Sequence, residues 1–160
     1  MITDFLLEHA ALVPLALLAI AAACVGVGFA VLRGRRYQWL RALVVVSGLL
    51  VIALTLVPVS GGPGGRHCTV QFFVPTLGSV ELLANVALLF PLTFFAALAT
   101  RRPLVVLGAA TVLSAAIEGV QALVPAIGRA CDTNDWAMNT AGAVVAALLA
   151  LITLAGDRRP

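Results

Sequence analysis

Five stretches of about twenty apolar residues, separated by short links, decide what this chain can become. Each is long enough as a helix to cross the roughly 30 Å hydrocarbon core of a bilayer. They run over about Ala11–Leu32, Leu40–Val57, Val80–Leu98, Leu104–Val124 and Ala137–Ala155. Only 11% of the 160 residues are charged. A water-soluble domain carries about 25%, so this chain cannot cover its own surface in water. The expectation is an all-α, polytopic membrane protein with five transmembrane helices and a single transmembrane domain over 1–160. Met1–His9 carries no basic segment before the apolar run, which argues against a cleavable signal peptide. It reads instead as a short interfacial start to the first helix. Pro91 inside the third stretch removes a backbone hydrogen bond and predicts a kink.

Charge assigns the sides. Every basic residue is Arg, and Arg33, Arg35, Arg36, Arg41, Arg101, Arg102, Arg158 and Arg159 make eight of the ten. They fall in the links after spans one and three and at the C-terminus. The opposite face holds Asp4, Glu8, Glu81, Glu118, Asp132 and Asp135, six of the seven acids. The excess of Arg on cytoplasmic links predicts an N-terminus outside and a C-terminus in the cytoplasm. The pI near 9.2 does not indicate nucleic-acid binding, because the arginines are scattered between apolar segments rather than gathered on one face.

On this topology the polar residues converge. Glu81 and Asn85 share one face at the outer end of span three. Thr111, Ser114, Glu118 and Gln121, spaced 3, 4 and 3, draw a polar stripe along span four. Asp132, Asp135, Asn139 and Gly142 repeat that spacing as the chain re-enters. Thr133 or Asp132 is placed to cap the fifth helix, with Asp135 near its positive end. Polar groups beside hydrocarbon are costly and mark a functional site by default. An outward-facing pocket is therefore expected, lined by Asn85, Glu118, Gln121, Arg129, Asp132, Asp135 and Asn139. A carboxylate as deep as Glu118 needs a partner, and Arg129 is the one the spacing offers.

Cys68 and Cys131 both lie in outer links, the oxidising side, and are expected to form a disulfide. The alternative is a zinc site with His67 and an acid, although the spacing matches no zinc motif. Cys24 reads as a small apolar residue. In span one, Ala22, Gly26 and Ala30 repeat a small residue every fourth position, a pattern that lets another helix approach closely. Phe72 and Phe73 in the long Gly/Pro-rich link are candidates to enter the interface or wall the site.

The order Asn85, Phe90-Pro91, Glu118-x-x-Gln121, Arg129-x-x-Asp132-x-x-Asp135-x-x-x-Asn139-x-x-Gly142 resembles the VanZ-like family of small bacterial membrane proteins. The resemblance covers about 41–150, leaving the first span as an added helix. Leu92-Thr93 stands where the family often has Gly. The resemblance implies a bacterial plasma-membrane protein of the cell envelope, associated with antibiotic resistance toward the glycopeptide teicoplanin.

Two functions from different classes fit these residues. In the first, the pocket binds an amphipathic envelope ligand: a lipid-linked cell-wall precursor, a lipid or a lipoglycopeptide. Arg129 would meet a phosphate or carboxylate, Asp132 and Asp135 amines or hydroxyls, and Glu118 with Gln121 would form the floor. In the alternative, a membrane-embedded enzyme acts on a lipid-linked substrate, with Glu118 as general acid or base and Asp132 and Asp135 assisting or holding a divalent cation. A purely structural partner of another membrane protein is a third option. No motif calls for a cofactor or resident metal, membrane lipids are the expected surroundings, and the oligomeric state is left open.

Overall fold

The computed structural model describes residues 10–59, 67–76 and 78–157. The expected N-terminal interfacial start, the glycine-rich middle of the long link and the last arginines lie outside these residues. Within them, five helices are long and apolar enough to cross a membrane. A 3-10 turn, Ala10–Leu12, leads into α1, Val13–Arg33, with α2 at Tyr37–Leu56. The third crossing is two helices, α3 (Val80–Leu88) and α4 (Phe90–Thr100); α5 is Pro103–Leu123 and α6 is Thr133–Asp157. Each expected span is present, with ends shifted by a few residues.

Local chemistry sets these ends. Val57 precedes Pro58 and is extended (φ −69°, ψ 126°), which stops α2. Pro91 lacks an N–H, and the third crossing breaks at Leu89 just before it, so the expected kink is a true interruption. Arg101 closes α4 in the left-handed region at φ 55°. Its guanidinium reaches Asp157 across 3.1 Å, tying the end of α4 to the end of α6.

Helix α6 is the centre of the bundle and packs against α5, α4, α3 and α1. Ala143, Ala146, Ala147 and Ala150 are buried along it, so neighbours approach its backbone closely. A Cβ at Gly142 would collide with the carbonyl oxygen of Val86 on α3. On α1 the inward face is Cys24, Gly28 and Leu32. A Cβ at Gly28 would stand 2.6 Å from Leu98 and 2.8 Å from Phe94. The Ala22, Gly26 and Ala30 face expected to pack is exposed instead, with nothing within 4 Å of a Cβ at Gly26. Small residues state where a helix can come close; here the bulk of Phe94 and Leu98 selected Gly28.

The two ends of the bundle differ in kind. Toward the arginine-rich end, Phe90, Phe94 and Phe95 fill the core with Leu32, Leu40, Leu98 and Ala146. Phe94 and Phe95 meet edge to face with centroids 5.4 Å apart. A second apolar layer of Val51, Leu89, Ala110, Ile117 and Ala143 lies beyond it. Above that layer the side chains turn polar.

Candidate functional site

The polar end is assembled from the close of α2 and α5 and the start of α3 and α6. Along α5, Ser114, Glu118 and Gln121 are buried, as a 3–4–3 stripe turned inward requires. Gln121 donates through Nε2 to the Thr55 carbonyl at 3.0 Å. That carbonyl belongs to the last turn of α2 and has no helical partner, because the chain leaves the helix before Pro58. Val59 turns away and donates its N–H to Ile127 at 3.0 Å.

Ile127 closes a 3-10 turn, Pro125–Ile127, and Gly128 follows with φ 71°. A Cβ at Gly128 would strike the Val59 carbonyl oxygen, so both the conformation and the close approach require glycine. This turn leads Arg129 into the polar cavity. The chain then enters β2, Cys131–Asp132, which pairs in parallel with β1, Cys68–Thr69. Cys68 and Cys131 are disulfide-bonded as expected, with Cα atoms 4.5 Å apart.

Asp132 is the junction of the site. Its backbone N–H donates to Glu118 Oε2 at 2.9 Å. Its Oδ1 accepts the Asn134 N–H at 2.8 Å, an N-cap bond for α6. Its Oδ2 accepts from the Gln71 amide. Thr133 Oγ1 accepts the Gln71 N–H and Asn134 Oδ1 accepts the Phe73 N–H, at 2.9 and 2.8 Å. Side chains at the start of α6 thereby serve as pairing partners for the strand that follows Cys68.

Deeper in, Asn85 donates to Asp135 Oδ1, joining α3 to α6. Asn139 Nδ2 donates to Ser114 Oγ at 3.1 Å, joining α6 to α5. Trp136 Nε1 donates to the Thr111 carbonyl at 3.2 Å. A cavity of about 270 Å³ remains between the helices, lined by Asn85, Glu118, Gln121, Arg129, Asp135 and Asn139 and by Leu54, Thr55, Leu88 and Ile117. It shares Asn85, Gln121, Arg129 and Asp135 with an outer basin of about 500 Å³ that adds Glu81, Gly128 and Asp132. A third hollow, of about 660 Å³, lies beside Gln71 and Phe73.

The seven residues singled out from sequence therefore face these joined cavities. One pairing differs from expectation. Glu118 is not paired with Arg129; it is held by the Asp132 N–H. That N–H begins the approach to α6 and needs an acceptor, and the buried carboxylate supplies it. Among the described residues, four buried side-chain atoms lack a hydrogen-bond partner, Thr93 Oγ1, Arg129 Nε, Asn139 Oδ1 and Thr140 Oγ1, and of these residues Arg129 and Asn139 line the inner cavity. Phe72 and Phe73 are both well exposed, and Phe73 edges the third hollow. Among the described residues, no three His, Cys, Asp or Glu side chains are grouped to share a metal ion.

Gln71 and Asn134 were not singled out from sequence, and both act on a strand's backbone. A polar residue three places after each of Cys68 and Cys131 is the only trace they leave in the chain.

No curated protein and no solved structure matches the chain. The VanZ/LLP1 family model matches residues 44–154, more than half of the chain. The match begins inside α2, leaves α1 outside and contains every cavity residue named above. Together with the five membrane-length helices, it shows that this chain belongs to the VanZ/LLP1 family.

Proposed function

We propose that this chain is a multi-pass protein of the bacterial plasma membrane whose polar pocket faces outward and binds an amphipathic cell-envelope ligand with an anionic head. A lipid-linked cell-wall precursor, a membrane lipid and a lipoglycopeptide antibiotic share that chemistry, and capture of one of them would contribute to glycopeptide resistance. The orientation rests on the segregation of arginines from acids, with the pocket at the arginine-poor end.

The observation that carries the reading is the pair of unsatisfied groups in one cavity. Arg129 Nε and Asn139 Oδ1 have no partner among the described residues, and both residues line the 270 Å³ cavity. Buried polar atoms are rarely left unpaired, because each costs about 1–3 kcal/mol. A ligand anion on the guanidinium and a ligand hydroxyl or amine on the amide oxygen would satisfy both. The carboxylates of Glu118 and Asp135 are already engaged by Asp132 and Asn85, so they shape the pocket, while Arg129 Nε has no partner among the described residues.

The test is titration of the detergent-purified protein with a polyprenyl diphosphate and, separately, with teicoplanin, followed by calorimetry. Saturable binding of one of them, weakened at least tenfold by Arg129→Ala, is expected. Equal affinity in Arg129→Ala, Glu118→Ala and Asp135→Ala would overturn the reading.

A further inference from the structure

Among the described residues, the cavity behind Arg129 has a gap in its wall. α5 packs on α6 and α3 packs on α6 and on α1, while α2 lies chiefly against α4 and reaches α5 near its end. α2 and α3 make no extended contact with each other. Below the Leu89 break α2 meets α4, with Gly48 beside Leu92. Above the break that contact stops, and the cavity occupies the space between Thr55 on one side and Asn85 on the other.

The edges of the gap are apolar and lie in the outer turns of two membrane-length crossings. Leu54 on α2 exposes half of its surface and Ala84 on α3 is exposed. Leu88 lies behind them, one turn further into the bilayer than Ala84, and Ile117 closes the back. In a membrane-spanning segment these exposed side chains face hydrocarbon. A passage apolar at its rim and charged at its far end has the order of groups found in an anionic lipid, chain first and phosphate last.

We propose that the gap between α2 and α3 is a lateral portal, through which the head of an anionic lipid reaches Arg129 from within the leaflet while its acyl chain stays between Leu54 and Leu88. This rests on the pocket reading above and adds the route and the seat of the chain. Asn139 Oδ1 supplies the second polar contact at the inner end: the residue is only 2% exposed, and this oxygen lacks a partner among the described residues. Ala84 is small where the portal is open, and a bulky residue there would plug it.

Phosphatidylglycerol and water-soluble glycerol 1-phosphate separate the routes, since they share the phosphate and only one has a chain. Ala84→Phe and Leu54→Trp plug the gap from opposite walls, so a folding defect in one does not remove the test. Bound phosphatidylglycerol is counted by native mass spectrometry as its fraction rises in phosphatidylcholine nanodiscs; glycerol 1-phosphate is titrated by calorimetry. The expected result is a loss of phosphatidylglycerol binding in both plugged variants at least tenfold greater than any loss of glycerol 1-phosphate binding, and loss of both in Arg129→Ala. Unchanged phosphatidylglycerol binding in the plugged variants overturns the portal and leaves the pocket intact. Indifference of both probes to Arg129→Ala overturns the pocket reading and the portal with it.

Discussion

The backbone N–H of Asp132 is held by the carboxylate of Glu118 at 2.9 Å, fourteen residues back along the chain. A side chain inside one crossing thereby fixes the point where the next begins. Because the same Asp132 caps α6 and receives Gln71, the Glu118 contact also sets the height of the latched strand above the cavity.

Glu118→Gln keeps an acceptor for that N–H, whereas Glu118→Ala leaves it buried and unpaired. The alanine variant is expected to lose about 1–3 kcal/mol of stability. The glutamine variant should stay within about 1 kcal/mol of the parent, because the geometry of the acceptor is kept. Unfolding midpoints in a single detergent compare the two, and equal losses would contradict the assignment.

Gly142 sits where α3 touches the backbone of α6, and any Cβ there meets the Val86 carbonyl. Gly142→Ala should cost about 1–3 kcal/mol, the range for overpacking a closed contact. Gly26→Ala, with open space around it, should change stability by no more than about 0.5 kcal/mol. Thermal denaturation followed by helical ellipticity distinguishes them.

The Cys68–Cys131 bond closes a separation of 63 residues. Reduction, or Cys68→Ser with Cys131→Ser, is expected to lower stability by roughly 2–4 kcal/mol. It should also free the Phe73 N–H from Asn134, seen as faster amide exchange over residues 68–74 than over α4. Unchanged exchange in that strand would show that the side-chain bonds of Thr133 and Asn134 hold it alone.

Orientation is open to direct labelling. Cys24 is buried and the other two cysteines are paired, so an added cysteine is the reactive one among the described residues. Gly78→Cys should react with a membrane-impermeant maleimide in intact cells, and Arg102→Cys only after permeabilisation. The reverse pattern would place the pocket in the cytoplasm.

Much of this arrangement was legible in the residues themselves. Apolar length marked the helices, Pro91 marked the break, and the 3–4–3 spacings placed Glu118, Gln121, Asp135 and Asn139 on inward faces. Spacing along a helix fixes a direction, however, and not the path of the link that returns. The turn at Pro125–Ile127 and the left-handed Gly128 decide that Asp132 rather than Arg129 reaches Glu118. Gln71 and Asn134 were hidden for a related reason: they pair with backbone groups, which every residue has. Similarly, α1 offered two small-residue faces, and only the bulk on α4 distinguished them.

The interruption at Leu89 has a mechanical consequence. In a continuous helix, any tilt at Asn85 would be carried along the hydrogen-bond ladder to Phe94 and strain the aromatic packing. With the ladder cut before Pro91, the upper segment can lean independently of the lower one. The carrier of Glu81 and Asn85 thus takes its angle from α6, through the Gly142–Val86 contact and the Asn85–Asp135 bond, and not from the phenylalanine-filled base.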